Sequence, residues 1–225
     1  MGWSEWLAGA RIDPGVTGLR PDYRALLIVA DGLVPGPSDE WSERLLAEAE
    51  AKAPPLDHPH VQAWAEAFRA FGAKPQRTRP SLTALLRRQP LPRVDRLTDA
   101  YNAISVRHAV PVGGEDLDSY VGPLRLTRAT GDEPFETVAA GELVVESPEP
   151  GEVVWRDDAG VTCRRWNWRQ CTRTRLGMST TRAVFVLDAL APMDDHALAD
   201  AGEALAEALR QGSPGAQLWT RRLPE

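Results

Sequence analysis

DAYNAISVRHAVPVGGEDLDSYVGPLRL, residues Asp99 to Leu126, holds the change of period on which the fold turns. On its upstream side apolar residues recur at helical spacing. Leu97, Tyr101 and Ile104 share one face of a helix expected from about Val94 to Arg107, with Asn102 and Ser105 to one side. From Val110 onward short β-rich segments take over: GPLRLTRA, GELVVES, GEVVWRD, GVTCRRW and TRAVFVLDAL, split by Gly, Pro and Asp turns. They read as a largely antiparallel sheet. A last helix, from about Asp194 to Arg210, carries Leu198, Leu205 and Leu209 on one side.

Upstream of the quoted stretch the chain is mostly helical. Tyr23 to Leu33, YRALLIVADGL, is a strand candidate ending in a turn. Ser38 is read as the cap of SDEWSERLLAEAEAKA, which Pro54 and Pro55 stop. In VQAWAEAFRAFG, Val61, Trp64, Phe68 and Phe71 lie on one face and Gly72 closes the helix. Lys74 to Pro80 is extended between prolines, and a short helix after it carries Leu82, Leu85 and Leu86. The class is α+β: N-terminal helices and a strand, then a largely antiparallel sheet closed by a C-terminal helix. Residues 1–66 are read as an N-terminal elaboration packed on a main domain over 67–225.

The 225 residues, 43% hydrophobic, suffice for one sizeable core. Apolar runs such as Ala25 to Ala30 are only strand-length, and no signal peptide opens the chain, so a cytoplasmic protein without membrane contact is expected. Cys163 and Cys171 have no CxxC partner and the four histidines are scattered, so no metal or other cofactor is expected. The net charge of −6 hides a segregation. Seven basic residues and no acid lie between Ala67 and Val94, among them Lys74, Arg77, Arg79, Arg87 and Arg88. Six arginines and no acid lie between Val161 and Phe185. Two basic tracts in an acidic protein suit a polyanion approaching in one orientation; otherwise they are solvated faces or pair with acids elsewhere.

The second tract contains CRRWNWRQC, Cys163 to Cys171. Read as a strand, it turns Arg164, Trp166, Trp168 and Gln170 one way and Arg165, Asn167, Arg169 and Cys171 the other. Guanidiniums fork onto phosphate or carboxylate and indoles stack on bases, so Arg164, Arg165, Trp166, Asn167 and Arg169 are candidate ligand contacts. Gly113 and Gly114 let backbone approach a ligand, and their amides are candidates for holding an oxyanion. Glu115 and Asp116 follow at once.

DAYNAISVRHAVPVGGEDLDSY resembles the B3/B4 module of the bacterial phenylalanyl-tRNA synthetase beta subunit, which carries a D-x-x-N helix followed by a Pro- and His-containing run. The order of later motifs agrees: GPLRLTRA, then Gly131-Asp132-Glu133, then TTRAVFVLDA (Thr180 to Ala189) in the place of a closing Thr-x-x-x-x-x-Glu-Ala strand. The resemblance spans roughly Phe68 to Ala191. It implies an editing fold that hydrolyses the ester of a misacylated tRNA. It also implies pocket roles for Asn102 and for Tyr101, which stands where the family has a threonine. Gly113 stands where the family has its pocket histidine, and RRWNWR replaces a Gly-rich strand lining the same cavity.

The leading expectation is thus a free-standing domain that binds tRNA or aminoacyl-tRNA and deacylates it in trans. Lys74, Arg77, Arg79, Arg87 and Arg88 would lie on phosphates, and Asn102, Glu115 and Asp116 would position the carbonyl and the water. The rival is a non-catalytic pocket for a free amino acid or small carboxylate, clamped by Arg164, Arg165 and Arg169. A structural partner of another protein is a third reading, and the sequence carries no signal for a particular protein partner or oligomeric state.

Overall fold

The computed structural model of the protein describes residues 2–224. In chain order the elements are α1 (Trp3–Gly9), β1 (Arg11–Ile12), α2 (Pro14–Thr17), β2 (Arg24–Asp31), α3 (Glu40–Ala51), α4 (Pro59–Ala70), α5 (Ser81–Leu86) and α6 (Arg96–Arg107). There follow β3 (Val112–Asp116), β4 (Arg125–Arg128), β5 (Phe135–Ala139), β6 (Glu142–Glu146), β7 (Val153–Arg156), β8 (Val161–Arg164), β9 (Arg169–Gln170), β10 (Arg182–Ala189), α7 (Asp195–Gly212) and β11 (Gln217–Leu223). The class is α+β, as the change of period predicts. No described helix is long and apolar enough to cross a membrane.

A four-stranded antiparallel sheet runs in the order β11-β2-β10-β3. A second sheet, β1-β4-β7-β8-β9, is antiparallel except where β1 joins β4, and β5 and β6 form a separate ribbon. Both β2 and β10 are apolar at every parity because both of their faces are covered. Leu27, Val29, Val184 and Val186 look towards the second sheet and α4, where they meet Trp64, Phe68, Trp155 and Trp166. Ile28, Phe185 and Leu187 look the other way, onto Leu97, Tyr101 and Ile104 of α6 and Leu198, Leu205 and Leu209 of α7. Each such side chain, wholly removed from water, contributes about 1.5–3 kcal/mol.

Several local expectations change. Asp39, not Ser38, caps α3: its carboxylate accepts from the Ser42 amide at 3.0 Å and Ser42 Oγ accepts from the Asp39 amide, a reciprocal box that needs the cap three residues before Ser42. Ser38 instead donates to Asp99 Oδ2 at 2.5 Å. Helix α4 starts at Pro59, with His58 as its cap, so DHPH is a helix start. Gly113 and Gly114 lie within β3, in register with Val186 and Phe185, so no turn frees their backbone there. The division at 66/67 falls inside α4, and β2 lies between β10 and β11. Strand β11 follows α7 on the outer edge of that sheet.

CRRWNWRQC is not one alternating strand. It is a hairpin in which Cys163 and Arg164 pair with Gln170 and Arg169 across a turn of Arg165 to Trp168. Arg165 and Trp166 adopt φ of 48° and 66°. A left-handed conformation at a non-glycine residue costs about 1–2 kcal/mol each. The compensation is the Trp166 ring, wholly buried with Tyr23 and Trp64 at 4.9 and 5.4 Å between centroids. Burying an indole is worth about 4–6 kcal/mol, which exceeds the strain of both residues.

The acids missing from the tract arrive from elsewhere. Glu152, buried, takes the Arg164 guanidinium through two bonds of 2.9 Å and also accepts from Arg165, while Glu146 takes Arg164 Nη1 at 3.0 Å. Arg173 forks onto buried Asp157 at 2.9 and 2.8 Å. Arg164 and Arg165 are therefore structural. Glu152→Gln should lower stability by up to about 3–5 kcal/mol in urea unfolding, because it removes the buried counter-charge and leaves the Arg164 guanidinium only the part-exposed Glu146. Glu43→Gln, which removes an exposed partner of Arg93, should change stability by about 1 kcal/mol or less.

His60 is a core residue. Nε2 accepts from the Leu190 amide at 3.0 Å, which leaves the proton on Nδ1, 2.6 Å from the Ala109 carbonyl oxygen. Burial lowers its pKa from 6.5 to about 4. Its contribution to stability is then complete above pH 6.5 and lost as pH falls towards 4. His60→Gln should remove that acid-side slope from a pH series of urea midpoints, whereas wild type retains it.

Candidate functional site

A cavity of about 270 Å³ lies on the face of the four-stranded sheet that looks towards the second sheet, beside α5 and α6. Register decides which side chains reach it. Gly113 and Glu115 of β3 stand opposite Val186 and Val184, whose side chains share that face; Gly114 stands opposite Phe185 and belongs to the other. The two glycines thus serve different ends. A Cβ on Gly114 would lie 2.9 Å from Leu176 and Phe185, so glycine there allows packing. A Cβ on Gly113 would sit on the cavity side, 3.3 Å from Gln170 Nε2, so glycine there keeps the cavity open. The Gly114 carbonyl is taken by Gln170 Nε2 at 2.8 Å.

Several of the polar groups at the cavity are buried. Asn102 of α6 is 8% exposed, and its amide has no hydrogen-bond partner among the described residues. Glu115 is 4% exposed. Its Oε2 accepts from the Tyr120 hydroxyl and from Thr174 Oγ1, and the Thr162 hydroxyl is a third donor to the carboxyl group. Burial raises the Glu115 pKa, against the pull of those hydroxyl donors. Asp188 at the end of β10 accepts from the Tyr23 hydroxyl at 2.5 Å and from Asn167 Nδ2 at 3.3 Å. Burial pushes its pKa up to about 7, and the Glu115 charge adds to the rise. Cys163 also lines the cavity, with burial holding its thiol well above the usual range and hence unreactive.

The structure brings Asn102, Glu115, Gly113, Tyr101, Asn167, Arg169 and Arg88 to this one cavity, and Trp166 contributes buried surface to it. Asp116 is elsewhere: its carboxylate accepts from the Asp118 amide and from Thr180 Oγ1, so it can orient no water in the cavity. Arg164 and Arg165 do not line it either, so the three-arginine clamp expected for a free carboxylate is reduced to Arg169. Lys74, Arg77, Arg79, Arg87 and Arg88 are exposed and form no ion pair among the described residues. Arg79 and Arg87 line a second cavity of about 220 Å³.

Asp188, and Tyr23 which donates to it, were not expected at the site, whereas Trp168 lines the cavity as the reading of RRWNWR implied. For Asp188 a signal exists. In RAVFVLDA every other residue after Arg182 is apolar at both parities, and a lone carboxylate in such a strand must be buried and must have partners. Tyr23 has none, since its role depends on a contact 165 residues away.

The B3/4 domain model matches residues 63–209 of the chain. No curated protein matches the chain in sequence. A similar solved structure is an N-terminal fragment of the phenylalanyl-tRNA synthetase beta subunit from Pyrococcus horikoshii, at 13% identity and a TM-score of 0.50. The match covers 96% of this chain and 54% of that fragment, so the chain spans about half the length of its structural relative. The family model spans well over half of the sequence, and the chain belongs to the B3/4 domain family.

Proposed function

We propose that the chain binds aminoacyl-tRNA and hydrolyses in trans the ester of a misacylated one. The observation that carries this reading is the polarity of the cavity. Two buried carboxyl groups, Glu115 and Asp188, and the unpartnered Asn102 amide lie inside it, while Arg88 and Arg169 also line it and Arg88 is exposed to solvent. An aminoacyl ester on RNA has the matching order: an ammonium, then a carbonyl, then phosphates. The similar fold of a tRNA synthetase fragment supports the same reading.

The reaction needs a water oxygen to attack the ester carbonyl carbon, the ester C–O bond to break, and a proton to reach the departing ribose oxygen. The Asn102 amide donates to the carbonyl oxygen as negative charge develops there. No imidazole lines the cavity. Glu115, a buried carboxyl group whose pKa burial raises, takes a proton from water and returns it, while Asp188 pairs with the substrate's ammonium. Because the aminoacyl ester is activated, positioning of water supplies much of the rate.

Asn102→Ala should slow deacylation of the responsive mischarged tRNA by about 10²-fold. Glu115→Gln should slow it by about 10²–10⁴-fold. Cys163→Ala should leave the rate unchanged. The assay is a screen over a panel of mischarged tRNAs; if none is cleaved faster than in buffer, hydrolysis is refuted.

Ammonium binding favours ionised Asp188. Affinity for a non-hydrolysable amide analogue of an aminoacyl-adenosine should therefore rise with pH up to about 7 and fall again as the ligand's α-ammonium loses its proton at about 8. Asp188→Asn should remove the acid-side rise in calorimetric titrations. A pH-independent wild type would remove Asp188 from the ammonium site.

A further inference from the structure

Helix α5 is a ridge between two cavities. Ser81, Ala84 and Leu85, one stripe of α5, line the inner cavity together with Arg88 just beyond the helix end. Thr83 and Arg87, a neighbouring stripe, line the outer one. The consecutive exposed arginines Arg87 and Arg88 thus stand on either side of the crest.

The outer cavity has the lining of a nucleoside site. Leu56, Val61, Ala65 and Pro75 give apolar walls, Gln76 and Thr83 give donors and acceptors for a base edge, and Arg79 and Arg87 give positive charge. No acid lines it, and neither arginine has an ion-pair partner among the described residues. In a protein with net charge −6, two unpaired guanidiniums at a cavity without acids favour an anionic ligand. Adjacent nucleosides of a polynucleotide are joined by one phosphate, and a strand crossing the α5 crest would place that phosphate between Arg87 and Arg88.

We propose that the outer cavity holds the penultimate nucleoside of a single-stranded RNA 3′ end. The terminal nucleoside then lies over the inner cavity, and the phosphate joining the two rests between Arg87 and Arg88. This rests on the reading of the inner cavity as the aminoacyl site. It adds a second nucleoside site, which reads the RNA strand independently of the amino acid.

The test uses an unacylated, fluorescently labelled hexaribonucleotide ending in CCA-3′ and the same RNA made abasic at the penultimate position, with affinities taken from anisotropy. Wild type should bind the intact RNA about fivefold or more tightly than the abasic one. Thr83→Trp, which fills the outer cavity, should erase that difference. Arg87→Glu should weaken binding of both RNAs by about tenfold and lower the salt slope by about one contact. Asn102→Ala should preserve the difference. Gln76→Trp, on an exposed residue, replaces Thr83→Trp if the latter lowers the unfolding midpoint. Equal wild-type affinity for the two RNAs, or a difference that survives both tryptophan variants, overturns the proposal. Because the probe carries no amino acid, base-dependent binding without any deacylation upholds the outer site and refutes the hydrolytic reading. Deacylation without base dependence does the reverse.

Discussion

Strand β10 has to bury both of its faces, and the rest of the molecule is arranged around that requirement. Val184 and Val186 need the second sheet on one side; Phe185 and Leu187 need α6 and α7 on the other. Its edges are equally committed, to β2 along eight paired positions and to β3 along five. A strand so placed can carry a carboxylate only where a polar space has been left. Asp188 occupies that place, and the cavity is the space. Site and core are consequences of the same alternation.

The RRWNWR hairpin closes the cavity by a different route. Two consecutive left-handed residues turn the chain so that Trp166 enters the core while Asn167, Trp168 and Arg169 stay at the cavity. Glu152 fixes the base of the hairpin by holding both Arg164 and Arg165. The Trp168 ring then lies beneath three guanidiniums, the nearest that of Arg165 at 4.6 Å from its centre. The tract that looked like a uniform basic surface is two things: paired arginines that build the wall, and Arg169, which remains beside the cavity.

Much of this was legible in the sequence. The helical stripe of Leu97, Tyr101 and Ile104 placed α6, and with it Asn102. The apolar runs in YRALLIVADGL and TRAVFVLDAL placed β2 and β10. Both signals are local and periodic. The turn within RRWNWR was not legible, because nothing in local propensity announces positive φ at an arginine followed by a tryptophan; tertiary burial of the indole imposes it. Pairing of Arg164 with Glu152 was hidden for a related reason. Charge counts along a tract record neighbours in sequence, and ion pairs are made by neighbours in space. Family likeness supplied the order of elements but not the Tyr23 hydroxyl, which comes from outside the matched range of 63–209.

The Tyr23–Asp188 hydrogen bond joins residues 165 positions apart, and β2 is flanked by β10 and β11, which come late in the chain. On a ribosome, Leu26 to Ala30 emerge long before either neighbouring strand exists. The most apolar strand of the protein must wait, with both edges unpaired, through the synthesis of more than half the chain. Folding dominated by such distant pairings is slow, and an idle apolar strand is prone to association with other chains. The architecture that gives the cavity its buried carboxyl groups therefore makes the nascent protein dependent on protection of its first long strand until β10 arrives.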